Sequence, residues 1–111
     1  MAEPLLTDIF GAGATQNASS ITILKADLPL TPSASNRAEQ ILAAVVKKAS
    51  LTLTPANYGT NPDQSVNMAA GFDSLVYRTD STGVTTTHLQ TQIAVNFSKP
   101  QATSGITPDD Y

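Results

Sequence analysis

The chain has 111 residues, 14% of them charged, with a formal net charge of −3 and an isoelectric point near 4.7. That length holds one domain, 1–111, with one core. The six basic residues, Lys25, Arg37, Lys47, Lys48, Arg78 and Lys99, are scattered, which argues against a nucleic-acid partner because phosphate tracking needs clustered Lys and Arg. Cysteine is absent, so disulfides, thiolate metal sites and cysteine nucleophiles are excluded.

Large apolar residues are few. Leu, Ile, Val and Phe fill 25 of the 111 positions, just above the roughly 20% level below which chains tend toward disorder. Folding has to offset about 1–2 kcal/mol of backbone entropy per ordered residue. Such a chain, with no disulfide or zinc staple, has a thin margin. Burial against other subunits would widen it.

At the amino terminus, Glu3 stands where an export signal would carry basic residues. No segment approaches the roughly 18 apolar residues of a membrane span. Synthesis in the cytoplasm and the absence of a membrane span are the expectations. Residues 4–10 read as a short helix. Pro4 suits the first turn, Leu5, Leu6, Ile9 and Phe10 form its apolar face, and Gly11 can end it. So short a helix is unstable alone, and its face must dock on the body or on a neighbour. It is joined to the body by a small-residue connector that reaches Ser20. Gly11-Ala12-Gly13 within that connector lacks the third glycine, the Lys-Ser/Thr ending and the preceding strand of a phosphate loop. Ile21-Thr22-Ile23-Leu24 alternates as a strand, and Pro29 and Pro32 then forbid regular structure.

The clearest helix spans 36–49. Asn36 and Glu39 resemble a capping box, and Ala38, Ile41, Leu42, Val45 and Ala49 form one stripe, widened by Val46. Arg37, Gln40, Ala43, Ala44 and Lys47 are placed on its solvent face. Lys47 and Lys48 complement the dipole at its end. Leu51-Thr52-Leu53-Thr54 reads as a strand ended by Pro55. The 55–71 stretch is rich in turn residues and reads as a packed loop, or as one with a helical turn around Val66–Ala70.

Residues 72–97 read as a long β-hairpin. Phe72–Thr79 goes out, Asp80-Ser81-Thr82-Gly83 turns, and Val84–Phe97 returns. Leu89, Thr91, Ile93, Val95 and Phe97 share one face of the return strand, and His88, Gln90, Gln92, Ala94 and Asn96 share the other. The return strand is the longer, and its excess is expected to pair with 21–24 or 51–54. The tail, 98–111, has no periodicity and is expected to be disordered, or to serve as an arm anchored by Ile106 and Tyr111.

Chemistry is sparse. His88 is the sole histidine and sits on the polar strand face. No carboxylate pair, glycine-flanked nucleophile or calcium-loop spacing stands out. No catalytic residue, metal or cofactor is expected. The fold expected is α+β, a mostly antiparallel sheet of about four strands with the 36–49 helix on one face. The function expected is a non-enzymatic structural or assembly subunit that self-associates or docks with other protein subunits, such as a component of a phage-like particle or tail. Its candidate interface residues are Leu5, Leu6, Ile9, Phe10, Ile106 and Tyr111, on the 1–20 and 98–111 arms. The alternative is a monomeric binding module using the 55–71 loop or the 88–96 strand face.

Overall fold

The main helix starts one residue later than the capping pattern places it. In the computed structural model, which describes residues 2–100 and 104–111, Arg37 is the N-cap and its N–H donates to Gln40 Oε1 at 3.3 Å. Asn36 instead braces the entry, accepting from Ser33 N at 2.8 Å and donating to Thr31 O. The elements in order are α1 (Leu6–Phe10), β1 (Thr15–Gln16), β2 (Ile21–Thr22), a 3-10 turn (Lys25–Asp27) and α2 (Ala38–Thr52). There follow α3 (Pro55–Thr60), β3 (Val66–Ala70), β4 (Ser74–Thr79), β5 (Thr85–Gln90), β6 (Ile93–Phe97) and a closing 3-10 turn (Pro108–Asp110).

The α+β class, the antiparallel pairing and the one main helix agree with the sequence. The strands are shared among three two-stranded ladders, β1–β2, β3–β6 and β4–β5, instead of forming one sheet. Leu51-Thr52-Leu53-Thr54, expected as a strand, continues α2 to Thr52. Thr54 then caps α3 by accepting from Asn57 N at 3.0 Å, with Pro55 in the first turn. The alternation at 51–54 is too short to outweigh the preceding helical run. Part of the 55–71 loop is thereby helix. Its far end, Val66–Ala70, is the strand that pairs with the excess of the return strand, Val66 opposite Phe97 and Ala70 opposite Ile93. The partner expected at 21–24 pairs with Thr15–Gln16 instead.

The β3–β6 and β4–β5 ladders are two halves of one long hairpin. Between the Ala70–Ile93 and Ser74–Gln90 pairs, Gly71, Phe72 and Asp73 stand opposite only Thr91 and Gln92. That extra residue is a β-bulge. It changes the parity of the outgoing strand. Val66, Met68 and Ala70 share the face of Phe97, Val95 and Ile93, whereas beyond the bulge Leu75 and Tyr77 share the face of Leu89 and Thr87. The return strand keeps its odd face throughout, as its alternation requires. Gly71 is needed at the bulge because a Cβ there would lie 2.9 Å from the Gln92 carbonyl oxygen.

Helix and sheet meet at one small cluster. Ala49, Leu53 and Met68 are buried together, with Ile9, Val46 and Val66 packed against them. Met68 N donates to Leu53 O at 2.7 Å, stitching the end of α2 to the edge of β3. Ala44, expected on the solvent face of α2, is buried, while Leu42 of the expected apolar stripe is 63% exposed. The helix is rotated so that Ala44 and Ala49 face inward with Ile41, Val45 and Val46 half-buried beside them, while Ala43 stays exposed. Gln64, buried at 4% exposure, donates to Val66 O and Thr54 O and so carries its polar head inside at no loss of bonding. Among the described residues no large side chain is fully buried.

Replacing Leu53 by Ala is expected to lower stability by about 2 kcal/mol, the low end for a buried leucine because the cluster is open at its margin. Urea denaturation followed by circular dichroism measures it. A loss within about 0.5 kcal/mol, the level of an ordinary surface substitution, would show that this cluster does not hold helix to sheet.

Candidate interaction surface

The distal half of the hairpin stands away from the body. Every residue of β4 and β5 is exposed except Val76, which is half-buried. One face carries Leu75 directly opposite Leu89, then Tyr77 opposite Thr87 and Thr79 opposite Thr85. Leu75 and Leu89 are 66% and 65% exposed and Tyr77 is 75% exposed. Phe72, on the bulge at the base of this ribbon, reaches 85%. The other face is Ser74, Val76 and Arg78 with Gln90, His88 and Thr86. By strand parity, the apolar face prolongs the one that α2 covers in the proximal half. A 15-residue helix spans about 22 Å, whereas strand residues 66–79 span about 46 Å. The helix runs out halfway.

The turn that closes the ribbon is well held. Asp80 Oδ1 accepts from the Thr82 hydroxyl at 2.6 Å, Thr82 N at 2.9 Å and Val84 N at 3.0 Å. Gly83 takes a φ of +88°, which suits a residue without a Cβ. The Thr82 hydroxyl first, then the Val84 and Thr82 amides, hold the Asp80 carboxyl below the usual aspartate range. On the apolar face the Thr79 and Thr85 hydroxyls are 2.9 Å apart and bonded. The ribbon is therefore ordered while remaining uncovered.

The interface residues expected from the sequence lie elsewhere. Leu6, Ile9 and Phe10 are half-buried, α1 packs on α2, and Ile9 joins the central cluster. Thr52 Oγ1 donates to Asp8 O at 2.8 Å, and Asn61 Nδ2 to Ala2 O at 2.9 Å, fixing this segment to its own chain. Tyr111 is half-buried, its ring centroid 5.4 Å from that of Phe97. Lys99 reaches Asp110 at 2.9 Å and Gly105 O at 3.0 Å. The described part of the tail thus folds back on the body, while residues 101–103 of the expected arm, like Met1, lie outside the described residues. Leu5 and Ile106 are exposed, at 61% and 64%. The ribbon residues Phe72, Leu75, Tyr77 and Leu89 were missed as surface. Their signal was the length of the hairpin against that of the helix.

Gly11 and Gly13 have a packing role. A Cβ on either would collide with Asp27, or with Leu24 at Gly13, and Gly13 N donates to Asp27 Oδ2 at 2.8 Å. The 55–71 segment offers little free polarity. Asn57 bonds Thr52 O, Tyr58 bonds Ser98 Oγ, and Asn61 and Gln64 are engaged as described. No group of three or more His, Asp or Glu converges among the described residues. No helix among them is long and apolar enough to cross a membrane. Comparison with family models, curated proteins and solved structures finds no match.

The chain exposes 8144 Å², against roughly 5,800 Å² for a folded monomer of this mass. Its radius of gyration is 17.0 Å, against about 13 Å for a compact domain of this length. The projecting ribbon contributes to that elongation.

Because the folded Asp80 carboxyl titrates below its unfolded value, its bonds stabilise the turn above about pH 4 and are lost as pH falls through the folded value. Nuclear magnetic resonance should show Asp80 titrating below the ordinary aspartate value. The Thr82 and Val84 amides should exchange faster once it protonates. Titration of Asp80 at the ordinary value would mean that the turn is not held in this way.

Proposed function

We propose that this chain is a non-enzymatic structural subunit that works by association, chiefly with further copies of itself, through the ribbon formed by β4 and β5. The observation that carries this reading is the ordered but uncovered apolar face of Leu75, Tyr77 and Leu89. A two-stranded ribbon is marginal in water unless another layer or further strands support it. The chain as a whole exposes about 2,300 Å² more than a compact monomer of its mass, and the uncovered ribbon contributes to that excess. The meagre core supports the same reading, because burial between chains supplies what the single chain lacks. Of the two surfaces of the binding-module reading, the 55–71 loop is folded and largely bonded to the body, while the 88–96 strand face stays exposed.

Light scattering on the full chain at tens of micromolar should give a multiple of 11.6 kDa. Replacing Leu75 and Leu89 together by Ser should weaken association at least about tenfold while leaving the helical circular dichroism of α2 unchanged. A wild-type chain that stays monomeric across that range overturns the reading. So does a double variant that associates as tightly as wild type.

A further inference from the structure

Resting on that reading, we infer that two copies join by antiparallel pairing of their β5 edges, about a two-fold axis at Thr87, into a four-stranded sheet. The argument starts from the backbone. Asp80 N donates to Val84 O within the ribbon. Alternation of the antiparallel ladder then makes Arg78–Thr86, Val76–His88 and Ser74–Gln90 the bonded pairs. The N–H and C=O groups of Thr85, Thr87 and Leu89 consequently point away from β4. These three residues form an open edge.

The ribbon's two edges differ in charge. β5 reads Thr85-Thr86-Thr87-His88-Leu89-Gln90, with no Lys, Arg, Asp, Glu or Pro. β4 carries Arg78 and is flanked by Asp73 and Asp80. The outer edge of β6 runs into Lys99-Pro100, a charge and a proline of the kind that blunt sheet edges. β5 lacks every such device. Its Thr and Leu residues suit a strand with a neighbour on each side.

Symmetry sets the register. A two-fold axis normal to the sheet keeps each face on its own side, so residues of equal parity must stand opposite each other. Thr87 opposite Thr87 of the second copy, with Thr85 opposite its Leu89, engages all three outward-facing residues in about six backbone hydrogen bonds. The apolar faces then merge. Leu75, Tyr77 and Leu89 of both copies lie on one side of four strands, which meets the support that a lone ribbon lacks. The occupant is a second copy because the β5 edge, free of charge and proline, pairs with itself in a register that engages all three of its outward-facing residues.

The test uses the full chain. In Thr87→Pro the outward N–H is lost while the β4–β5 ladder keeps its bonds, since proline is tolerated on an edge with its N–H side free. Dimerisation measured by light scattering should weaken at least tenfold, with the amide signals of Thr82, Gly83 and Val84 unchanged. The chain has no cysteine, so single replacements report position cleanly. Thr87→Cys should link two copies on mild oxidation, because paired residues of this type lie about 5.5 Å apart between Cα atoms. Thr79→Cys, on the β4 edge, should not. Dimers that persist in Thr87→Pro, or that link through Thr79→Cys and not Thr87→Cys, overturn the β5 edge while self-association stands. A monomeric wild type overturns both.

Discussion

Everything in this fold hangs on the short seam where the end of α2 meets the edge of β3. There the Leu53 carbonyl accepts from Met68 N, and the Leu53 and Met68 side chains close over Ala49. The bond matters because it spans the helix-to-strand transition. It satisfies a carbonyl that the helix end would otherwise leave unpaired, and it caps the β3 edge at the same point. α1 is held on the helix side by Thr52 and the tail on the strand side by Phe97 and Lys99. The termini are thereby used to thicken a seam that small residues alone could not seal.

The same seam explains why the rest of the hairpin is bare. A cluster built from Ala49, Leu53 and Met68 covers only the strand residues beside it, and α2 has no further length to offer. The bulge at Gly71–Asp73 is what makes the bare half chemically coherent. Without the extra residue, Leu75 and Tyr77 would fall on the opposite side from Leu89. With it, two leucines stand opposite each other and the tyrosine follows on the same side. A random overhang would scatter its apolar residues. This one collects them.

Much of this is legible in the residues, and what is not has physical reasons. The existence of α2, the 80–83 turn and the odd face of the return strand follow from periodicity and turn chemistry, which are local. The rotation of α2 that exposes Leu42 and buries Ala44 is set by packing. The pairing of 66–70 with 93–97 is non-local. Val66-Asn67-Met68-Ala69-Ala70 has weak strand propensity, and only its position across from Phe97–Ile93 makes it a strand. The continuation of α2 through Leu51 and Thr52 was hidden by an alternation only four residues long. Apolar Leu5, Leu6, Ile9, Phe10 and Tyr111 near the chain ends suggest arms from the sequence alone. A core so short of large side chains draws in most of them instead. The apolar alternation of the hairpin was read correctly as a face, but its covering was assumed where helix length could not supply it.

The composition of the ribbon bears on how such an exposed apolar surface is tolerated in water. Leu75, Leu89 and Tyr77 are set among Thr79, Thr85 and Thr87, whose hydroxyls remain hydrated or bond to each other while their methyl groups preserve the β surface. The reverse face carries Arg78 and His88 with Ser74 and Gln90, and it has no comparable patch. Indiscriminate stacking of ribbons would bury Arg78 without a partner, at a cost of several kcal/mol. Growth on the β4 edge would set Arg78 and the flanking Asp73 and Asp80 against a second strand. The charges leave one edge and one face favourable. A surface restricted in this way disfavours open-ended stacking, a constraint that matters most for a chain with so thin a core.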